Sequence, residues 1–410
     1  MSDSEQPPGS ETPERREGGD YAPSVAERLA LYQRAGGIVT PLLTAVLAFF
    51  IGGLVVLATT GKNPLRTYEA IFDGTGLNWL FPWISQEDRT LAALNLQQTL
   101  ILTVPLILTG LAVAFAFRCG LFNIGGQGQY TVGAVIGVWV GGSFTDLPAL
   151  PHVVLAVVAG SLAGAAFAGI AGLLKATVGA HEVITTIMLN WIALWVGSFL
   201  FTLGGPLQDP NQPGVPVSPD VAEGAKLPVF WGDPVLQGLH VGFFIALTAL
   251  VAFWIVLNRT TVGYEVRAVG YNPEAARYGG INVARNYFLA MAISGAFAGL
   301  AGAIDVLGWQ FRVSETDVQV STIGFIGIAV ALLGRNTAIG VGLAALLFGS
   351  LLNGSSTRNL DPEIFKPELA GNLTLIIQGL VVLFVGADVL ILYLWQLRRK
   401  LRLRVARAAA

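Results

Sequence analysis

The side chains best placed to do chemistry in this chain are amides that interrupt an apolar segment. Residues 122–130 read FNIGGQGQY, and the polar set within them is Asn123, Gln127, Gln129 and Tyr130. Amides donate and accept hydrogen bonds but do not titrate, so they indicate binding rather than catalysis. Inside a membrane such groups line a polar path, form a broken helix that faces protein or water, or hydrogen-bond a neighbouring helix. The sequence leaves these alternatives open.

A second polar set lies on one predicted helix. Residues 181–191 read HEVITTIMLNW, in which Glu182, Thr186 and Asn190 are spaced so that they share one helix face. A polar face on a membrane helix is typical of a translocation route, and Trp191 adds an aromatic ring beside it. The alternative is that Glu182 only caps the cytoplasmic end of the helix.

Patterns typical of enzymes and metal sites are missing from the sequence. Residues 61–63 read GKN, without the upstream glycine spacing of a phosphate-binding loop, which excludes nucleotide hydrolysis by that route. The pair His181-Glu182 lacks the second histidine of a zinc-protease motif. The single cysteine, Cys119, excludes a disulfide framework and a cysteine-based metal cluster. We therefore predict a chain that is not an enzyme and has no metal site or cofactor of its own.

Composition identifies the class of protein. Of the 410 residues, 53% are hydrophobic and 12% are charged, whereas soluble domains carry about 25% charged residues. Windows of about 20 apolar residues locate the segments that can cross a membrane. We predict an all-α integral membrane protein with about ten transmembrane helices, at 37–58, 93–117, 120–143, 151–174, 183–204, 237–257, 287–307, 317–334, 338–354 and 371–397.

The charged residues orient these predicted spans. The segment 398–410 is basic, and lysines and arginines concentrate in those loops that an even number of spans places on the same side. The positive-inside rule therefore predicts cytoplasmic N- and C-termini. Residues 1–36 are polar, contain proline and glycine, and hold no apolar run, which predicts a disordered cytoplasmic tail. The predicted divisions are this tail at 1–36, a ten-span domain at 37–397 and a basic cytoplasmic tail at 398–410.

A polar, arginine-rich loop at 258–286 separates two long apolar runs. At its centre Pro273 and Glu274 predict the start of a short helix at about 273–279. Proline suits the first helical turn, and a carboxylate suits the positive end of the helix dipole. A tight turn at 334–336, with the sequence Gly-Arg-Asn, is predicted on the same side. Both segments are candidates for contact with a cytoplasmic partner.

Glycines and aspartates within the predicted spans bear on packing and on ion coupling. Gly160 with Gly164, and Gly295 with Gly299, are four residues apart and predict helices that pack backbone to backbone. Asp305 and Asp388 lie within predicted spans but near their ends, where carboxylates can reach the interface. An ion-coupled carrier would favour acids near the membrane midplane, so this placement weakens that function without excluding it.

Five segments together resemble one family of membrane proteins. In chain order they are GLFNIGGQGQYTVGA (120–134), HEVITTIMLNWIA (181–193), RAVGYNPEAARYGGI (267–281), ISGAFAGLAGA (293–303) and GFIGIAVALLGRN (324–336). The family is that of the permeases of bacterial ABC importers for nucleosides, within the wider superfamily of ribose and branched-chain amino acid permeases. The resemblance runs from about residue 95 to 395, and the second and third segments point to the nucleoside branch.

The resemblance implies a transport subunit in the bacterial cytoplasmic membrane, with 37–397 as its permease domain. A second homologous permease would complete the pathway, and a cytoplasmic ABC ATPase would use ATP and Mg²⁺. An extracytoplasmic lipoprotein would deliver the nucleoside, and nucleic acid is not an expected partner. The loop 258–286 would couple to the ATPase through Arg267, Asn272, Pro273, Glu274, Ala275, Ala276, Arg277 and Gly280, with Arg335 and Asn336 as a second cytoplasmic contact.

The implied substrate route passes along the two polar sets, namely Asn123, Gln127, Gln129, Tyr130, Glu182, Thr186, Asn190 and Trp191. Amides, hydroxyls and aromatic rings suit a nucleoside, which carries ribose hydroxyls and a planar base. Two alternatives stay open. One is a sugar or branched-chain amino acid permease of the same superfamily, and the other is an ion-coupled secondary transporter.

Overall fold

The structure is a computed structural model that describes residues 45–59, 61–82, 85–234 and 238–356, and scattered positions between 372 and 383. Its helices are α1 (Ala45–Thr59), α2 (Pro64–Thr75), α3 (Gln86–Arg118), α4 (Gly126–Ser143), α5 (Ala149–Val178), α6 (Glu182–Phe201), α7 (Gly242–Arg259), α8 (Thr261–Tyr271), α9 (Pro273–Tyr278), α10 (Val283–Asp305), α11 (Glu315–Val320), α12 (Ile323–Leu333) and α13 (Ala338–Gly354). Short 3-10 turns lie at Leu77–Leu80 and Glu223–Ala225 and a π-helical turn at Val306–Gln310, and strands β1 (Val229–Trp231) and β2 (Leu239–His240) pair antiparallel.

Six helical segments in the described part of the chain are long and apolar enough to cross a membrane, and a seventh results if α1 and α2 form one bent span. The six are Asp88–Arg118, Ala149–Val178, Glu182–Phe201, Gly242–Arg259, Val283–Gln310 and Glu315–Leu333. A helical, multi-pass membrane protein is therefore confirmed, and the number ten stays a prediction.

The third, eighth and ninth predicted spans differ from single, uninterrupted membrane helices of full length. The third, at 120–143, becomes helical only at Gly126, because residues 120–125 are unwound. The eighth, at 317–334, is interrupted between Val320 and Ile323. The ninth corresponds to α13, which has 17 residues. Most of the tenth, at 371–397, lies outside the described residues, as do both predicted tails and Asp388.

Burial shows which helix lies at the centre. The apolar window of the span containing α3 is 83% buried, whereas those of α5, α6 and α7 are 28% buried. Helix α3 therefore forms the core against α10, α12 and α13, and α5, α6 and α7 expose apolar faces as lipid-contacting helices do.

Helices α5 and α10 cross at the predicted glycines. A Cβ atom on Gly295 would lie 2.2 Å from the carbonyl oxygen of Gly164, and one on Gly299 would lie 2.4 Å from that of Gly160. Neither position has room for a larger side chain, so the two backbones are in direct contact. The predicted packing through small residues is confirmed.

The loops gather at two ends of the helix bundle. At one end Arg118, which ends α3, donates from Nε and Nη2 to the carbonyl oxygen of Asn336, at 3.0 and 2.7 Å. At the other end the backbone N–H of Ala222 donates to the carbonyl of Gly141 at 2.9 Å. Loops that the charge pattern assigns to the same side are thus in contact with each other.

Candidate functional sites

The unwound segment 120–125 is closed by its own amides. Nδ2 of Asn123 donates to Oε1 of Gln129 at 2.9 Å and to Oγ of Ser294 at 2.8 Å, and Nε2 of Gln129 donates back to Oδ1 of Asn123 at 3.0 Å. Asn123 is 0% exposed and Gln129 is 1% exposed. These two predicted path residues lie together, and each satisfies the other rather than facing open space.

Asn190 holds the start of α4 from the neighbouring helix α6. Its Oδ1 accepts from the backbone N–H of Gly128 at 2.8 Å, and its Nδ2 donates to the carbonyl of Ile124 at 2.9 Å. Both partners are backbone groups that the unwinding before α4 leaves without helical partners. The side chain therefore takes the place of a missing helical turn.

Gln127 joins the same segment to α12. Its Oε1 accepts from the backbone N–H of Gly324 at 2.8 Å, while its buried Nε2 has no hydrogen-bond partner among the described residues. Gly324 lies so close that a Cβ atom there would be 2.3 Å from both the N and the Cα of Gln127. The starts of α4 and α12 are thus packed backbone to backbone.

The other members of the second polar set divide between two sides of α6. Glu182 and Thr186 share the buried face with Asn190. Nζ of Lys175 lies 2.8 Å from Oε2 of Glu182, and Oγ1 of Thr186 donates to the carbonyl of Glu182 at 2.8 Å. Trp191 is 54% exposed, so the structure does not bring it to the polar face.

Tyr130, the last predicted path residue of α4, belongs to a buried carboxylate site. Its hydroxyl donates to Oδ2 of Asp305, which also accepts from Nε2 of Gln310 at 2.9 Å, and Oδ1 of Asp305 accepts from Nε1 of Trp309 at 2.5 Å. Asp305 is 1% exposed, so the protein encloses its carboxylate and does not expose it at the surface, which its place near a span end had left possible. The π-helical turn folds Trp309 and Gln310 back onto the carboxylate. In the sequence, this site is indicated only by Trp309 and Gln310, hydrogen-bond donors that follow Asp305 by four and five residues.

A cavity of about 270 Å³ lies between α4, the π-helical turn and the interruption that separates α11 from α12. Val318 and Ile323 provide part of its apolar wall. Its polar lining consists of Tyr130, Thr131, Gln310, Asp317, Ser321 and Thr322. Among these, only Tyr130 was selected from the sequence, because single hydroxyl and carboxylate residues near a span end carry no distinctive spacing.

The predicted short helix in the arginine-rich loop is confirmed as α9. Oδ1 of Asn272 accepts from the backbone N–H groups of Glu274 and Ala275, at 3.0 and 3.1 Å, and Pro273 occupies the first turn. The side chain of Glu274 lies 3.4 Å from Nη1 of Arg277 on the exposed surface. Local capping thus accounts for where this element begins.

The rest of the loop 258–286 is more ordered than predicted, since α8 occupies Thr261–Tyr271 and α10 begins at Val283. Arg267 donates within α8 to the carbonyl of Gly263 at 3.2 Å. Gly280 has φ +82°, a backbone conformation that favours glycine, and it follows α9. The predicted loop is therefore a pair of short helices between two spans.

Helix α8 rests on the end of α3. A Cβ atom on Gly270 would lie 2.3 Å from the carbonyl oxygen of Arg118, whose guanidinium holds Asn336. Arg335 and Asn336 both have positive φ, at 52° and 53°. The predicted second cytoplasmic contact therefore lies at the same end as α8 and α9, joined through Arg118. Sequence reasoning missed Arg118, whose only signal was a basic residue at the end of a span.

Two tyrosines flank α9 on the surface. Tyr271 is 89% exposed and Tyr278 is 92% exposed, whereas Ala276 between them is 6% exposed. Buried Ala276 fixes α9 against the bundle, so the tyrosines and Glu274 form its outer face. Large aromatic side chains of this kind are typical of protein interfaces.

Comparison with known families bears on what this arrangement does. Residues 95–386 match the family described as branched-chain amino acid transport system / permease component. The chain belongs to this family. The match covers every polar site described above, and no solved structure matches this permease.

Similar proteins span most of the permease. The guanosine ABC transporter permease protein NupP of Bacillus subtilis is 37% identical, over 87% of this chain and 95% of the relative. The nucleoside ABC transporter permease protein NupB of Lactococcus lactis is 36% identical, over 80% of this chain and 87% of the relative. The glucose ABC transporter permease protein TsgB13 of Haloferax volcanii is 35% identical, over 84% and 86%.

The two bacteria each hold a second, less similar relative of this permease. In Bacillus subtilis it is the guanosine permease protein NupQ, 30% identical over 65% of this chain and 83% of the relative. In Lactococcus lactis it is the nucleoside permease protein NupC, which is 31% identical over 61% of this chain and 78% of the relative. Each of these two bacteria thus has two permeases that are similar to this chain.

Proposed function

We propose that this permease is one of the two membrane subunits of an ABC importer for nucleosides. The observation that carries the proposal is the 36–37% identity, over at least 80% of the chain, to permeases of guanosine and nucleoside transporters. The similar glucose permease, at 35% identity, favours a sugar as the second candidate substrate. Paired permeases in the same bacteria support a second, homologous subunit beside this one.

The proposed topology has ten spans in the bacterial cell membrane, with both termini in the cytoplasm. The basic segment 398–410 supports it, as does the contact between Arg118 and the turn at Asn336. A cysteine replacing Tyr278 tests it in intact cells. We expect no reaction with an impermeant thiol reagent, whereas a cysteine replacing exposed Val215, on the opposite end, reacts. Native Cys119 is 1% exposed and leaves the background low. Labelling of Tyr278→Cys from outside would contradict the topology.

For coupling, we propose that α9 docks into a cytoplasmic ATPase that uses ATP and Mg²⁺. The exposed face of Tyr271, Glu274 and Tyr278 supports this, because α8 connects that face to the end of α3 at Gly270. Glu274→Arg is expected to abolish ATP-driven uptake while the ATPase still hydrolyses ATP. The matched control is Glu223→Arg, an exposed glutamate that also pairs with a base three residues later but lies at the opposite end. Equal loss in both variants would contradict a docking role.

For the substrate route, we propose that α4 forms one wall. Tyr130 supports this because it lines the cavity, and the amides of Asn123, Gln129 and Asn190 hold the unwound start of α4 in place. A lipoprotein at the opposite end from α9 would supply substrate and affinity, so the membrane subunits need bind only weakly.

The deciding experiment reconstitutes the permease with its partner permease, ATPase and lipoprotein in liposomes. Uptake of guanosine, glucose and leucine is compared with and without hydrolysable ATP. We expect ATP-dependent uptake of guanosine alone, and no accumulation by this chain on its own. Glucose uptake would favour the sugar candidate. Concentrative uptake by the isolated chain that follows a pH gradient would instead establish a secondary transporter.

A further inference from the structure

The cavity beside the α11–α12 interruption shares Tyr130 with the first sequence motif and lies outside the network of Asn123, Gln129 and Asn190. We propose that it holds the ribose of the substrate during translocation. This inference rests on the proposed import of nucleosides and adds a binding site within the permease. Its support comes from the backbone, the polar lining and the size of the cavity.

The backbone around the cavity is interrupted inside a spanning segment. Helix α11 ends at Val320, α12 begins at Ile323, and Ser321 and Thr322 between them are not helical. Irregular backbone at membrane depth persists only where it is buried in protein or lines a cavity. In transporters, discontinuous helices mark substrate sites, because their free ends and unwound groups bind polar ligands.

The polar lining offers acceptors that the protein leaves available. Gln310 donates through Nε2 to Asp305, so its Oε1 remains for another donor. Asp317 uses Oδ2 to cap α11, where it accepts from the backbone N–H and the hydroxyl of Ser314, and this leaves Oδ1. The buried Oγ of Ser321 has no hydrogen-bond partner among the described residues. Two neighbouring ribose hydroxyls are donors that match a carboxylate and an amide oxygen.

Part of this wall is fixed before any ligand binds. The carboxylate of Asp305 accepts from both Tyr130 and Gln310, which orients the two side chains toward each other behind the cavity. Ligand binding therefore costs little side-chain ordering at this wall. A ribose beside the ring of Tyr130 would meet an apolar face and polar acceptors together, as a sugar requires.

The volume agrees with a sugar-sized group. Pockets for drug-sized ligands measure about 300–1,000 Å³, and this cavity of about 270 Å³ lies just below that range. The apolar lining, which includes Val318 and Ile323, limits the number of hydroxyls that can be satisfied. The cavity thus suits a pentose better than a larger polyhydroxylated ligand.

The test compares two substrates of the reconstituted importer that differ only in the hydroxyls concerned, guanosine and 2′,3′-dideoxyguanosine. Each variant is compared with wild type on each substrate. Gln310→Leu and Asp317→Asn are expected to lower guanosine uptake about tenfold each, because each variant removes an acceptor for a ribose hydroxyl. Uptake of the dideoxy compound is expected to change less than twofold, because it lacks the hydroxyls that these acceptors bind.

The control is Ser314→Ala. It removes the hydroxyl that caps α11 by accepting from the backbone N–H of Asp317, and Ser314 is not part of the cavity lining. It is expected to leave the ratio of the two uptake rates unchanged. If Gln310→Leu and Asp317→Asn lower both substrates equally, or neither, the ribose site is overturned while nucleoside import stands. If wild type shows no ATP-dependent guanosine uptake, the proposed function itself fails.

Cysteine labelling gives a readout that does not depend on transport. A cysteine replacing Thr322 lies in the cavity lining, whereas one replacing Thr316 lies on exposed α11 outside it. In the assembled importer, guanosine is expected to slow alkylation of the first cysteine severalfold and to leave the second unchanged. Equal labelling rates with and without guanosine at both positions would overturn the site.

Discussion

The two interruptions of predicted spans, at 120–125 before α4 and at 321–322 before α12, are built in opposite ways. At the first, the amides of Asn123, Gln129 and Asn190 satisfy one another and the freed backbone groups. At the second, a cavity opens and the buried hydroxyl of Ser321 has no partner in the described part of the chain. The first is sealed by side chains, although Nε2 of Gln127 has no partner among the described residues, and the second borders a cavity.

The two interruptions differ in how visible they are in the sequence, and the reason is physical. A backbone group without a partner costs several kcal/mol away from water, so a sealed interruption needs many amides and is conspicuous in sequence. An open interruption is satisfied by water or by substrate, and needs few polar residues. The conspicuous amides therefore mark the interruption that side chains close, and the less conspicuous residues line the cavity.

The largest effect is expected from a substitution that pushes apart the starts of α4 and α12, which follow the two interruptions. In Gly324→Ala the new Cβ would lie 2.3 Å from the backbone of Gln127, which only a shift of α4 or α12 can relieve. We expect little folded protein in detergent, measured by size-exclusion chromatography. The control is Gly126→Ala, whose Cβ would meet the carbonyl of Gly324 at an ordinary 3.4 Å. Equal yields of the two variants would show that the contact is not tight.

A smaller loss is expected when the sealed interruption is opened. Asn190→Leu leaves the N–H of Gly128 and the carbonyl of Ile124 without partners, at about 1–3 kcal/mol for each buried group. We expect a melting temperature several degrees lower, measured on the purified permease. An unchanged melting temperature together with lost uptake would instead make Asn190 a substrate-binding residue.

A smaller loss of stability than that of Asn190→Leu is expected at the carboxylate of Asp305, behind the cavity. Asp305→Asn offers one acceptor oxygen to three donors, so at least one of Tyr130, Trp309 and Gln310 loses its partner. We expect a stability loss of about 1–2 kcal/mol and reduced guanosine uptake, because two of these donors line the cavity. The control is Asp146→Asn, in an exposed loop. If Asp305→Asn kept wild-type stability and uptake, the negative charge of Asp305 would not be required.

The smallest effect is expected on the polar face of α6. Among the described residues, the hydroxyl of Thr186 bonds only to carbonyls of its own helix, at Glu182 and Val183. Such a bond adds little to helix stability, and valine has nearly the same shape. We expect Thr186→Val to keep both melting temperature and uptake. Normal stability with strongly reduced uptake would instead place the substrate route along the polar face of α6, away from the cavity before α12.

Several features followed from the sequence because their causes are local. The membrane class and the approximate spans follow from composition and apolar run length. Helix α9 was predicted from Pro273 and Glu274, which act within its first turn, and the structure adds Asn272 as its cap. Glycines four residues apart predicted close helix packing, although not that Gly164 would meet Gly295.

Hydrogen-bond partners and cavities were decided by the tertiary structure. Asn190 and Gly128 are 62 residues apart, and Tyr130 and Asp305 are 175 apart. No local pattern specifies which distant group a buried polar side chain will find, because that depends on how whole helices pack. Composition and local motifs were thus enough to predict a membrane permease with a short helix in its arginine-rich loop. Only the folded chain decided which interruption is sealed and which encloses a cavity, since unpaired polar groups in lipid must be satisfied by whatever lies beside them.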